Sequence, residues 1–299
     1  MPRSAVLQAP FSNPCRPRRS VLFMPASNAR ALEKARTLAA DTLVLDLEDA
    51  VAPDAKDVAR RQAAEAIAAG AFGRREVAVR INGTDTDWWA YDLRAVVKAG
   101  PDAILIPKVE DAGSVCLVAD RMLRRGAPRS MALWAMLETP RAFLNADPIA
   151  ASHPRLACLV VGTNDLSKGL QARQTVTREP VITALGLAML AARAHGHAIL
   201  DGVYGAIGDT DGLRVQCEQA RDMGFDGKTL IHPSQIDTAN AVFAPSRADV
   251  EDAGALIAAY EAAAEEGAGV ATYRGRMIEA LHVDDARRLI ALSEAIAAL

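Results

Sequence analysis

Aromatic side chains are scarce in this chain, at 4% of its 299 residues, and lysine and arginine do not outnumber the acids. The formal net charge is -3. No basic field is available for a nucleic-acid backbone, and few rings are available to stack on bases, so a nucleic-acid-binding role is excluded. No apolar run is long enough to cross a bilayer, so no membrane partner is expected. The four cysteines, Cys15, Cys116, Cys158 and Cys217, are far apart and form no CxxC pair. Cysteines so placed argue against a disulfide framework and for a reducing, cytoplasmic setting. Histidines number five, none at metal-ligand spacing, which disfavours zinc. No GxGxxG follows the first apolar run, where Met24-Pro25-Ala26-Ser27-Asn28 stands instead. The N-terminus carries Arg3, Arg16, Arg18 and Arg19 without a continuous apolar segment, so it is no secretory signal. An organelle-import leader is one reading of it; a loose tail over residues 1–18 is the reading taken.

What is abundant is alanine, within a 51% hydrophobic composition that supplies a large core. The stretch Leu43 to Val51, LVLDLEDAV, sets the pattern for the rest. An apolar run ends in Asp46, Glu48 and Asp49, as a buried strand would at its polar mouth. The alternative is a solvent-facing strand end whose acids cap the next helix. The pattern recurs in SVLFMP, VAVRI, AILIPKV, ALWAMLE, LACLVV, AILDGVY and KTLIH, each followed by a helical segment. Eight strand-then-helix units in sequence imply parallel strands joined by right-handed crossovers. The expected fold is a closed (β/α)8 barrel over residues 19–245, with a doubly wound open sheet as the alternative. Residues 246–299 read as a C-terminal helical extension, with an irregular or hairpin piece from Gly267 to Ile278. It is too short for its own core and is expected to pack on the barrel or on a neighbouring subunit.

In such a barrel the C-terminal strand ends share one face, and that face carries the chemistry. Those ends hold Asp46 and Glu48, Arg80 and Asn82, Lys108, Glu138, Asp165, Asp201 and His232. Glu138 and Asp165 follow adjacent strands. With water they make an all-oxygen site suited to Mg²⁺, supported by Asp46, Glu48 and Lys108 around it. For each acid taken singly, and for Asp165 above all, a helix N-cap is the competing assignment. Arg80 lies inside an apolar strand and needs acidic partners. Its guanidinium suits a substrate carboxylate or a developing enolate oxygen. His232 reads as a turn-fixing histidine, with a general base as the alternative.

The segments RSVLFMPASN, TLVLDLEDAV, VRIN, ILIPKVE, MLETP, GTNDLS and GFDGKTLIHPSQI, in that order, resemble the CitE-like branch of the HpcH/HpaI aldolase superfamily. The resemblance runs from about Arg19 to Glu279. It implies a TIM-barrel carbon–carbon lyase that needs Mg²⁺ and cleaves malyl-, citramalyl- or citryl-CoA into a 2-oxo acid and an acyl-CoA. A thioesterase at the same site, or a citrate lyase beta subunit working with an acyl carrier protein, are the alternatives it leaves. It also implies homo-oligomers, trimers or hexamers. Glu138 and Asp165 match the metal carboxylates, and Arg80 matches the substrate-binding arginine. Lyases of this type carry a C-terminal GxMxD aspartate that reaches a neighbour's site as acid. Here the segment is Gly275-Arg276-Met277-Ile278-Glu279, so Glu279 stands at that position.

Overall fold

The structure is a computed structural model that describes residues 16–299. Arg18–Phe243 form one compact unit, and Ala244–Leu299 belong to a second. In the first, eight parallel strands close into a barrel in the order β1 to β8. They are β1 (Ser20–Pro25), β2 (Thr42–Asp46), β3 (Glu76–Arg80), β4 (Ala103–Ile106), β5 (Ala132–Leu137), β6 (Leu156–Val161), β7 (Ala198–Asp201) and β8 (Gly227–Leu230). β8 closes on β1 through pairs such as Val21 with Thr229.

Ten helices belong to this unit: α1 (Ala29–Ala35), α2 (Lys56–Ala68), α3 (Trp89–Ala99), α4 (Ala112–Arg124), α5 (Pro140–Leu144), α6 (Ala146–Ala150), α7 (Thr163–Gly169), α8 (Glu179–Ala194), α9 (Thr210–Asp222) and α10 (Ile236–Phe243). Their starts follow local chemistry. Asn28 and Asp111 accept backbone N–H bonds three residues on and cap α1 and α4. Pro140 opens α5 with its fixed φ, and Thr139 caps it.

Side-chain alternation along each strand splits the core in two. Val21, Val44, Ala78, Leu105, Trp134, Met136, Cys158, Val160 and Leu200 fill the barrel interior. Leu22, Leu43, Leu45, Val79, Ile104, Leu133, Val161 and Ile199 face outward under the helices. At the end opposite the mouth, Arg18 is buried and donates to both Glu76 oxygens at 2.6 and 2.7 Å. The expected loose tail, residues 1–18, falls outside the described residues up to position 15. Arg18 itself belongs to the folded barrel.

α3 begins at Trp89, and its N-cap residue, Trp88, makes no side-chain cap bond. α5 and α6 are two short helices separated at Asn145, which ends the one and precedes the other. α7 lies where the competing assignment for Asp165 placed a helix, but starts earlier. Gly162 is its N-cap residue, and Asp165 lies in its first turn and is not the cap.

The second unit contains α11 (Arg247–Glu265), strands β9 (Ala271–Tyr273) and β10 (Arg276–Ile278), and α12 (Ala280–Ala297). β9 and β10 form an antiparallel hairpin. Arg274 and Gly275 turn it, both with positive φ, as a tight turn suited to right-twisted strands requires. Ser246 caps α11, and Asp249 returns a bond to the Ser246 N–H.

Candidate active site

Strand parity decides which polar side chains reach the mouth. Asp46 shares a face with Val44, Arg80 with Ala78, and Glu138 with Trp134 and Met136, all interior residues. The three are buried. Arg80 donates to both Asp46 oxygens, from Nε at 2.7 Å and Nη2 at 2.6 Å. Its Nη1 lies 3.0 Å from Glu48 Oε2 and 3.7 Å from Asp49. The ring of Phe23 lies 5.1 Å from the guanidinium carbon. Arg80 therefore has its planar fork committed to Asp46, and one nitrogen turned to the acids of the β2 loop.

That loop is itself braced. Asp46 accepts from the Glu48 and Ala50 N–H groups. Lys56, buried at the start of α2, donates to the Leu47 and Glu48 carbonyls at 2.8 and 2.7 Å. Asn82 donates to Leu47 as well and is held by Asp92. Lys108 Nζ pairs with Glu48 Oε1 at 2.6 Å, and the Lys108 N–H donates to Glu138 Oε1 at 2.6 Å. Lys108 makes this double contact with a φ of 50°, a strained backbone for a side chain with Cβ.

Burial first, and Glu48 after it, push the Glu138 carboxyl up to about 8; Asp165 pushes the same way, against the Lys108 N–H and Arg80. The Glu48 carboxyl is also raised by burial, with Arg80 and Lys108 opposing. For Lys108, burial works against the charge, and the bond to Glu48 together with the charges of Glu48, Asp49 and Glu138 more than offsets it, so its pKa is raised.

A hard divalent cation fits here. Glu138 accepts a single hydrogen bond, and Asp165, half-exposed beside it in α7, forms no side-chain hydrogen bond or ion pair among the described residues. A buried carboxylate whose ionisation is made costlier by burial and by neighbouring acids is what an oxygen-seeking cation relieves. No cluster of three or more His, Cys, Asp or Glu suited to a metal occurs among the described residues. The pair would leave its remaining positions to water and substrate, as Mg²⁺ sites commonly do.

Gly162 allows this approach. A Cβ there would lie 2.4 Å from Glu138 Cβ and 2.8 Å from its Oε2. Gly162→Ala is expected to cost about 1–3 kcal/mol through overpacking and to displace Glu138. Thermal unfolding together with turnover measures both effects. Normal values of each would show that the loop yields freely.

One rim residue, Asp201, is engaged elsewhere, and His232 takes the turn-fixing role read for it. Asp201 shares its face with Ile199, outside the barrel, and is fully buried between Arg178 and Lys228. His232 is exposed and accepts from the Ser234 N–H as a turn-fixing residue. Sequence reasoning passed over Lys56 and Gly162 as site supports. Lys56 lay inside a helix pattern, but Gly162, directly after a strand and before Asp165, was a usable signal.

A closed (β/α)8 barrel with an arginine–acid network and neighbouring carboxylates at its mouth has the architecture of a barrel enzyme. The chain belongs to the HpcH/HpaI aldolase/citrate lyase family, whose model matches residues 19–233. It is 52% identical over 282 residues to a (3S)-malyl-CoA thioesterase of Cereibacter sphaeroides, covering 94% of this chain and 96% of the relative. It is 35% identical over 309 residues to an L-malyl-CoA/beta-methylmalyl-CoA lyase of Cereibacter sphaeroides, covering 95% and 97%. The protein CitE of Mycobacterium tuberculosis, solved with magnesium, acetoacetate and coenzyme A, superposes with a TM-score of 0.74 at 28% identity, covering 92% of this chain and 97% of that one.

Proposed function

We propose that this protein is a Mg²⁺-dependent enzyme acting on a malyl-CoA-type thioester, and that its net reaction is thioester hydrolysis to a hydroxy acid and free coenzyme A. The 52% likeness to a malyl-CoA thioesterase over nearly the full length carries the choice of hydrolysis. The sequence reading favoured carbon–carbon cleavage. The 35% likeness to a malyl-CoA lyase keeps that as the second reading.

Glu138 and Asp165 would hold the ion, which on binding polarises substrate oxygen and orients the acyl group. Arg80, fixed by Asp46, presents Nη1 to the oxyanion that develops at the thioester carbonyl. Lys108 and Glu48 hold the β2 and β4 loops in register around it. Asp49 is exposed and lies within 3.7 Å of Arg80 and 3.5 Å of Lys108. Its carboxylate accepts the proton of the attacking water. In the cleavage reading, Arg80 stabilises a thioester enolate, and Glu279 of a neighbouring subunit protonates it. Glu279 is half-buried at the start of α12, with its N–H bonded to His282 Nδ1 at 3.1 Å.

Incubation with malyl-CoA and Mg²⁺ separates the readings. Thiol released with malate supports hydrolysis; glyoxylate with acetyl-CoA supports cleavage; neither product with malyl-, citramalyl- or citryl-CoA would remove both.

Arg80→Lys keeps the charge and loses the planar fork. Turnover is expected to fall roughly a hundredfold, the scale of one lost oxyanion donor. Normal turnover with a lowered melting temperature would assign Arg80 to a buried ion pair alone. In the cleavage reading, Glu279→Ala and Glu138→Gln, each inactive, are expected to regain part of the activity when mixed in one oligomer. Verified mixed oligomers without rescue would remove Glu279 from the neighbour's site.

A further inference from the structure

A cavity of about 300 Å³ lies between the loop after β6, the α7–α8 segment and the loop after β7. Thr163 and Asn164, adjacent to Asp165, line it, so it adjoins the candidate metal site. Its wall carries two arginines, Arg173 and Arg178, and no aspartate or glutamate. Arg173 is exposed and pairs with no acid among the described residues.

Behind the wall the charge is unbalanced. Arg178 Nη1 donates to both Asp201 oxygens at 2.7 and 2.8 Å, and Lys228 Nζ donates to the same carboxylate at 2.6 Å. All three residues are at least nine-tenths buried. Two enclosed cations share one anion, so this wall carries an excess positive charge where water cannot screen it well. Polar capacity is also unspent: Arg178 Nη2 and Thr175 Oγ1, both on lining residues, are buried with no hydrogen-bond partner. The segment bounding the cavity is strained, with Gln171 at φ 54° and Arg178 at φ 57°. Such backbone persists where the surroundings hold it, as at ligand clamps.

We propose that this cavity is an oxyanion subsite, separate from the carboxylate pair, that binds a carboxylate or phosphate group through Arg173, the neutral donors Asn164 and Gln216, and the positive wall at Arg178. It deepens the functional reading above: a group entering it from Asp165 would be a second acid of the acyl chain or a phosphate.

The test is calorimetric titration of succinate and of inorganic phosphate into the full chain in EDTA, with wild type, Arg173→Gln and Glu138→Gln. At least one ion is expected to bind wild type and Glu138→Gln alike. Arg173→Gln should weaken it at least about tenfold, the worth of one charge-assisted hydrogen bond. Tighter succinate binding identifies the acyl chain as the source, and tighter phosphate binding identifies a phosphate. No binding of either ion, or binding unchanged in Arg173→Gln, overturns the subsite. Binding lost in Glu138→Gln overturns its separateness. Loss of turnover in Glu138→Gln reports on the metal reading alone.

Discussion

Glu138→Gln is expected to abolish turnover while leaving the metal-free protein at least as stable as wild type. The amide keeps an oxygen for the Lys108 N–H, so the local hydrogen bond survives. What is lost is the anionic ligand. Groups that merely orient a metal ligand are typically worth 10–100-fold, so losing a ligand itself is expected to exceed about a hundredfold. Mg²⁺ titration followed by turnover checks it.

The stability half follows from the sign of the shift. Burial and the neighbouring acids raise Glu138 from 4.5 to about 8. The folded, metal-free state therefore retains a proton that the unfolded chain has released. Stability from this site is complete below the ordinary carboxylate range and is lost as pH rises through about 8. Glutamine cannot ionise. In EDTA, the wild-type melting temperature should fall relative to the variant between about pH 5 and about pH 9. Parallel curves would mean that the pair is already neutralised by the protein itself.

Asp201→Asn is expected to be the most damaging single change to the fold. It leaves Arg178 and Lys228 enclosed without their shared anion. Breaking a buried pair by removing one partner costs about 3–5 kcal/mol. The melting temperature should drop on the order of 10 °C. The double variant Asp201→Asn/Lys228→Met removes one of the two stranded cations and should recover part of that loss, because the residues act as a unit. Circular dichroism melts of the three proteins measure this. Unchanged melting of the single variant would show that solvent or another acid compensates the cations.

Glu138 and Asp201 looked alike in the sequence. Each is an acid at the end of an apolar run. Parity separates them: Glu138 continues the Trp134–Met136 face into the barrel, and Asp201 continues the Ile199 face away from it. That signal was present in the sequence but needed one strand residue known to point inward. The support given by Lys56 was harder to read, because its partners are backbone carbonyls of Leu47 and Glu48 across a loop. No side-chain pattern encodes a carbonyl's direction.

Residue order alone determined the eight alternating units and the set of polar groups at the strand ends. Both depend on local periodicity and on the cost of burying unpaired charge, which are written along the chain. It also carried the family motifs. Only the tertiary structure decided how the charges divide. Arg80 spends its fork on Asp46, 34 residues away. Asp201 is neutralised by Arg178 and Lys228, 23 and 27 residues away. Glu138 is left raised beside Asp165. Coulomb energy depends on distance through space and on burial, and barrel closure sets both by bringing together residues that the sequence holds far apart.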